Sequence, residues 1–336
     1  NTNEDFVQLF ELVDDQLRQE DKDLTANPAL EKERVWKKLY GRSPYDDEKM
    51  RRLSSGLTQY AFQYLAYVNF TEHPFTEQIY LANAVNHPRL EKHFRGVVRQ
   101  TEREFDKSGL RNANYHLHRF LLEGQNHRHL ELREEKQNDL SHLVRADYQL
   151  DCYYISRKLQ HYCDVLGYRS SLAKDIELAQ LPGLLEHLPD SEYMKEPAVQ
   201  TYYLVSQMLL QPEDQKTYYR LKEYLQEQLP GFSIDEQRAL YTHLINYCID
   251  AQINRGVVEF FQELFELYRK ALEDKVLLEK GKLPPNHYKN IITVGLKVKA
   301  YDWTEKFIEQ YSELLPEGEK EDAVAFNLAK VAFEKQ

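Results

Sequence analysis

Four histidines crowd the stretch NYHLHRFLLEGQNHRHLEL: His116, His118, His127 and His129. Imidazole is a common metal ligand, so a metal centre is the first chemistry to weigh. Two residues along a helix rotate by about 200°, which sends His116 and His118, and likewise His127 and His129, to opposite sides. Neither pair has the three- or four-residue spacing of a helical zinc site, and there is no HExxH. If His127 and His129 lie in a loop, Glu131 could join them. Surface or packing histidines are the plainer expectation, and no cofactor is expected. A helical metal-dependent enzyme or regulator built on His116–His129 stays as an alternative.

Other reactive patterns are sparse. Asp147 and Asp151 share a helical face at a four-residue spacing, but such pairs arise by chance in an acidic chain. No Gly-rich phosphate loop, GxSxG elbow or cysteine-centred signature is present. Cys152, Cys163 and Cys248 form neither a CxxC site nor a disulfide framework. The chain is expected not to be an enzyme.

Binding surfaces are easier to find. Lys92, Arg95, Arg99, Arg103 and Lys107 recur at helical spacing, with Leu90, Phe94, Val97, Thr101 and Phe105 on the other side. A solvated face laced with Glu91, Glu102 and Asp106 is expected there, and a docking surface for an acidic partner is its functional version. The 24 tyrosines include TYYLVSQMLL and TYYRLKEYL. Tyrosine suits both inter-helix packing and peptide grooves, so Tyr202, Tyr203, Tyr218 and Tyr219 are candidate groove residues.

These side chains must be positioned by helices. Val257, Phe260, Phe261, Leu264, Tyr268 and Leu272 recur at three- and four-residue steps. Ser233 with Glu236 reads as a capping box opening the preceding helix, and Gly256 as its left-handed end. Asn27-Pro28 places a cap before a proline at the first helical position. Leu90–Lys107 and Leu110–Gly124 read as an antiparallel pair joined at Ser108-Gly109. The longest helix is expected over about 131–166, with Leu140, Val144, Tyr148, Cys152, Ile155, Leu159, Tyr162 and Leu166 as its stripe. Further helices are expected at about 195–211, 214–229, 234–254, 257–279, 286–298, 302–315 and 320–335. No sustained two-residue alternation marks a strand, so the fold is expected to be all-α.

Composition narrows the setting. The 336 residues carry a formal charge of −11, with −3 on residues 1–168 and −8 on the rest. Phosphate neutralisation needs the opposite sign, so nucleic acid is not an expected partner. A nucleic-acid-binding helical repeat using the Lys92–Lys107 face remains a second alternative. No apolar run approaches the roughly 18 to 20 residues of a membrane span, and no signal peptide is visible. A cytoplasmic protein with no membrane partner is expected.

Residues 1–70 read as an N-terminal helical cap, with VWKKLYGRSPYDDEKMRRL as two helices around a loop, and residues 71–336 as a helical-hairpin array. YKNIITVGLKVKAYDWTEKFIEQYSELLP, followed by EGEKEDAVAFNLAKVAF, resembles a degenerate tetratricopeptide repeat and the first helix of another. Asn327, Leu328, Ala329 and Ala332 match the small and apolar positions of that first helix, and Pro316 the closing proline. Ile292, Thr304 and Tyr311 stand where the family has small residues. The resemblance covers about the last 50 residues, and together with the VWKKLYGRSPYDDEKMRRL segment the chain resembles uncharacterised bacterial helical-repeat proteins. It implies a right-handed α-α superhelix that binds a protein or peptide on a concave face of first helices. KGKLPPNHYKNIITVGLKVKAYDWTEKFIEQY also resembles a pentatricopeptide unit, a family that reads single-stranded RNA, though only one unit is present. Residues 320–336 are expected to be an incomplete repeat of a longer protein. Its exposed helix would be frayed or covered by a neighbouring chain, including a second copy.

Overall fold

Leu9, Val35, Trp36, Met50 and Leu53 come from three helices and close on one another as a small core. In the computed structural model, which describes residues 2–19, 30–72, 75–132, 139–172, 181–315 and 320–335, those helices are α1 (Thr2–Gln19), α2 (Lys32–Tyr40) and α3 (Asp47–Glu72). Gly41 (φ 62°) ends α2 in a backbone region that suits glycine. Trp36 Nε1 then donates to Ser43 O at 3.1 Å, folding the GRSPYDD loop back over the indole. Tyr40 Oη donates to Asp5 Oδ2 at 2.8 Å and ties α2 to α1. The cap at Asn27-Pro28 lies outside the described residues.

The chain divides into two compact units, Asn1–Tyr80 and Leu81–Gln336, with the junction inside α4 (Thr76–Val85). Past the end of α4, the second unit continues with α5 (Glu91–Ser108) and α6 (Ala113–Leu132). Gly109 (φ 67°) turns the chain between them. The Phe94 ring stacks on His129 at 4.1 Å, and Phe105 meets Tyr115 edge-on at 5.6 Å. Early residues of one helix thus meet late residues of the other, so the pair is antiparallel. Phe94, Val98, Thr101 and Phe105 form the buried face of α5.

The expected helix over 131–166 is displaced. Glu131 belongs to the end of α6, and α7 runs Ser141–Leu172. Asp139 Oδ1 accepts from Ser141 N at 3.1 Å, a side-chain bond that starts a helix rather than continuing one. The stripe is buried only in its later part: Leu140 and Val144 are exposed, whereas Cys152, Ile155 and Leu159 are core.

From α7 onward one apolar core runs through the unit. It draws on α8 (Leu181–His187), α9 (Pro197–Leu210), α10 (Gln215–Gln228), α11 (Ile234–Asn246), α12 (Phe260–Glu273), α13 (Pro285–Lys297), α14 (Tyr301–Tyr311) and α15 (Lys320–Glu334). Sequence neighbours α9 and α10, α11 and α12, and α13 and α14 pack together, and α13 also reaches α15. The Ser233–Glu236 capping box forms in full. After α11 the chain widens into a π-helical turn, Tyr247–Gln252, before ending at Gly256 with φ 94°. α12 begins at Phe260 rather than Val257 and gives way before Lys275, a non-glycine residue at φ 58°. Every regular element among the described residues is helical, and no strand forms among them. The protein is all-α. Pro316 lies outside the described residues.

Candidate partner-binding cleft

Helices α10, α11 and α12 enclose a cleft of about 390 Å³. Its position follows from local rules. On α10, Tyr218, Leu221 and Leu225 occupy one buried face. A 3₁₀ turn over Leu229–Gly231 and the Ser233 cap then reverse the chain into α11. Gln237 Nε2 donates to Phe232 O at 2.9 Å and fixes the start of that helix. Leu225, Leu244 and Leu267, one from each helix, form the buried floor, with Leu229, Pro230 and Tyr241 beside them.

The rim is charged but internally satisfied. Lys222 Nζ lies 2.5 Å from Glu263 Oε2 and 3.3 Å from Glu266 Oε2. Burial alone would lower the Lys222 pKa; the bonds to these two carboxylates outweigh it, so the net shift is upward and the amine stays charged. Lys270 Nζ reaches Asp274 Oδ1 at 3.0 Å, and Tyr241 Oη donates to Asp274 Oδ2 at 2.9 Å. Gln226 and Gln237 complete the lining. This arrangement offers apolar contact and amide hydrogen bonds. Its charged groups are already engaged with each other, which fits holding a ligand better than transforming one.

No protein family, curated protein or solved structure matches this chain. Function must therefore be read from the geometry.

The four candidate tyrosines separate by burial. Tyr202 and Tyr218 are fully buried and belong to the core. Tyr203 is half-buried against the same core, and Tyr219 is 45% exposed, its ring edge-on to Tyr218 at 5.1 Å. None of the four lines the cleft. Leu225, about two turns along α10, does so instead, and in the sequence it carries only the periodicity of any packed helix.

The basic stripe is solvent-facing: Lys92, Arg95, Arg99, Arg103 and Lys107 are all exposed. Arg95 pairs with Glu91 at 2.7 Å, and Arg99 Nε donates to Arg95 O at 3.2 Å. The histidines are distributed along α6 rather than gathered, and His127 and His129 lie in that helix, not in a loop. His116 Nδ1 is 2.8 Å from Gln149 Oε1, His118 Nδ1 is 2.7 Å from Asn114 O, His127 pairs with Glu131 at 3.4 Å, and His129 Nδ1 is 2.9 Å from Asn86 Oδ1. Among the described residues no group of three or more His, Cys, Asp or Glu side chains is placed to hold a metal ion. Burial pushes the Cys152 and Cys248 thiols up to about 12, which keeps both protonated. Among the described residues no helix is long and apolar enough to cross a membrane.

Proposed function

We propose that the protein is an interaction scaffold, without catalytic activity, that holds an apolar segment of a partner peptide in the α10–α11–α12 cleft. The observation that carries this reading is the leucine floor beneath a rim of mutually neutralised charges. An apolar side chain entering the cleft removes its surface from water at about 25 cal/mol per Å². The exposed Gln226 amide, and the Gln237 side-chain carbonyl whose Nε2 is already bonded to Phe232 O, are suited to the peptide backbone. Because the floor is already formed by packed helices, binding orders little of the scaffold itself.

In the finer reading, α9–α15 form a right-handed superhelix of tetratricopeptide-like hairpins in the cytoplasm. The sequential pairing of neighbouring helices supports it. The cleft then lies among the second helices α10 and α12 and the first helix α11, each giving one leucine to its floor, which is not the concave face of first helices. On α15, Phe326 and Phe333 are 70% and 76% exposed and seven residues apart, the place where a second copy of the chain would dock.

Peptide display against the purified protein tests the scaffold reading, with Gln226→Trp as a variant that fills the cleft from an exposed position. Selected peptides should share apolar anchors and bind the variant about ten-fold more weakly, equivalent to about 1.4 kcal/mol. Equal binding to both forms would sink the proposal.

A further inference from the structure

Asp147 and Asp151 share one face of α7, and the 3₁₀ turn Glu192–Lys195 packs beside it. Tyr148 of α7 stacks on Tyr193 of that turn, with ring centres 5.4 Å apart and planes at 28°. Tyr148 Oη donates to Glu196 Oε1 at 2.8 Å, and Tyr193 Oη donates to Asp151 Oδ2 at 2.6 Å. Each phenol is thus tied to a carboxylate carried by the other segment. The crossed bonds hold both rings in place without using any cation.

A cavity of about 360 Å³ opens beside the pair, lined by both rings together with Asp147, Glu192, Gln149 and Arg145. Its charge balance is one-sided. Residues 141–151 and 190–196 contain five carboxylates against Arg145 and Lys195. The Arg145 guanidinium is engaged by the buried Glu123, with Nε 3.2 Å from Oε1. Lys195 is not among the lining residues. Behind Glu196, His116 Nε2 stands 3.7 Å from Oε2. Burial lowers the His116 pKa, so at neutral pH the ring adds no positive charge to offset that carboxylate.

We propose that this pocket receives the guanidinium of an arginine side chain presented by a basic peptide segment of a partner protein. A planar cation gains from the electron-rich faces of Tyr148 and Tyr193. Its fork of N–H donors matches the carboxylates of Asp147 and Glu192. A lysine ammonium carries the same charge without the plane or the fork, so it fits less well. The overall charge of −11 speeds approach of a basic segment. The site is separate from the α10–α11–α12 cleft and does not depend on it.

Fluorescence anisotropy with a labelled arginine-rich peptide provides the test. Asp147→Asn with Glu192→Gln should weaken binding about ten-fold, the loss expected when charge-assisted hydrogen bonds are removed. Tyr193→Leu, which removes the stacked ring, should also weaken it. The charge-matched control Glu227→Gln with Glu309→Gln, both exposed and outside the pocket, should leave affinity unchanged within about two-fold. A lysine-rich peptide of equal length should bind about five-fold more weakly. Circular dichroism confirms that each variant is folded. Equal loss in the control, equal binding of the lysine peptide, or undiminished binding by the pocket variant would each overturn the assignment.

Discussion

At Gly295, α13 approaches α14 so closely that an added Cβ would overlap Thr304 Oγ1, with Thr304 Cγ2 only 3.5 Å away. Thr304 cannot move aside. It is fully buried, and its hydroxyl donates to Ala300 O at 2.9 Å. Thr304 is accommodated at this helix crossing because the partner helix supplies a glycine.

Gly295→Ala therefore sets two effects against each other. Alanine favours a helix over glycine by about 1 kcal/mol, while overpacking costs about 1–3 kcal/mol. The clash wins, and the thermal midpoint should fall. In a Thr304→Ala background the same change should become neutral or stabilising. A double-mutant cycle in urea reads the coupling directly. Stabilisation by Gly295→Ala in the parent protein would mean the helices are not this close.

Two adjacent tyrosines should respond very differently to truncation. Tyr218 is fully buried, stacks on Tyr247 at 5.1 Å and donates to Glu263 Oε2 at 3.3 Å. Its replacement by alanine should cost about 3–5 kcal/mol, as for other large core side chains. Tyr219→Ala should cost less than about 1.5 kcal/mol, the range of a partly exposed aromatic contact. Similar losses at the two positions would contradict the assignment of one to the core and the other to the surface.

Acid should destabilise the fold through buried histidines. Burial lowers the pKa of His116, His243 and His287, with Gln149 and Glu196 at His116, Asp164 at His243 and Glu279 at His287 each offsetting part of that effect. The unfolded chain then takes up protons first, near pH 6.5, while the folded chain stays neutral. Their contribution is complete above that pH and is lost as pH falls toward the depressed folded values. Urea midpoints should drop between about pH 7 and pH 5. His243→Gln should flatten that slope; an unchanged slope would rule His243 out as a contributor.

The π-helical turn depends on one amide. Gln252, only 3% exposed, donates to Pro212 O at 2.7 Å and to Tyr247 Oη at 2.8 Å, and accepts from Gln215 Nε2 at 3.0 Å. Gln252→Leu keeps most of the volume but leaves buried polar groups unpaired. About 1–3 kcal/mol should be lost. Hydrogen exchange should quicken across 211–215 as well as 247–252, and protection unchanged in the first segment would refute the link.

Features set by neighbours in sequence were readable in advance. The Ser233–Glu236 box and the turn at Gly256 depend on residues within one helical turn. So did the exposure of the Lys92–Lys107 stripe, since four-residue spacing alone places those side chains opposite Phe94 and Phe105. The start of α7 was missed because the apolar stripe runs through Leu140, while the Asp139–Ser141 bond begins the helix just beyond it. Adjacent tyrosines point about 100° apart, so the pairs at 202–203 and 218–219 announced one buried ring each without saying which. The cleft was hidden for a further reason. It exists only where Leu225, Leu244 and Leu267 meet across three helices, and each looks like any other packed leucine.

Asn112, in the turn between α5 and α6, donates from Nδ2 to Glu236 Oε2, and Arg111 N donates to Gly231 O at 2.8 Å. The first bond spans 124 residues, in a fold whose helices pack largely on their immediate neighbours. Its consequence lies in the order of assembly. Contacts between adjacent helices form over short loops and can be made early, whereas this one must wait for a long segment to be brought together. The cap that begins α11 is thus also the latch that receives α5 and α6, and their docking should be a late event in folding.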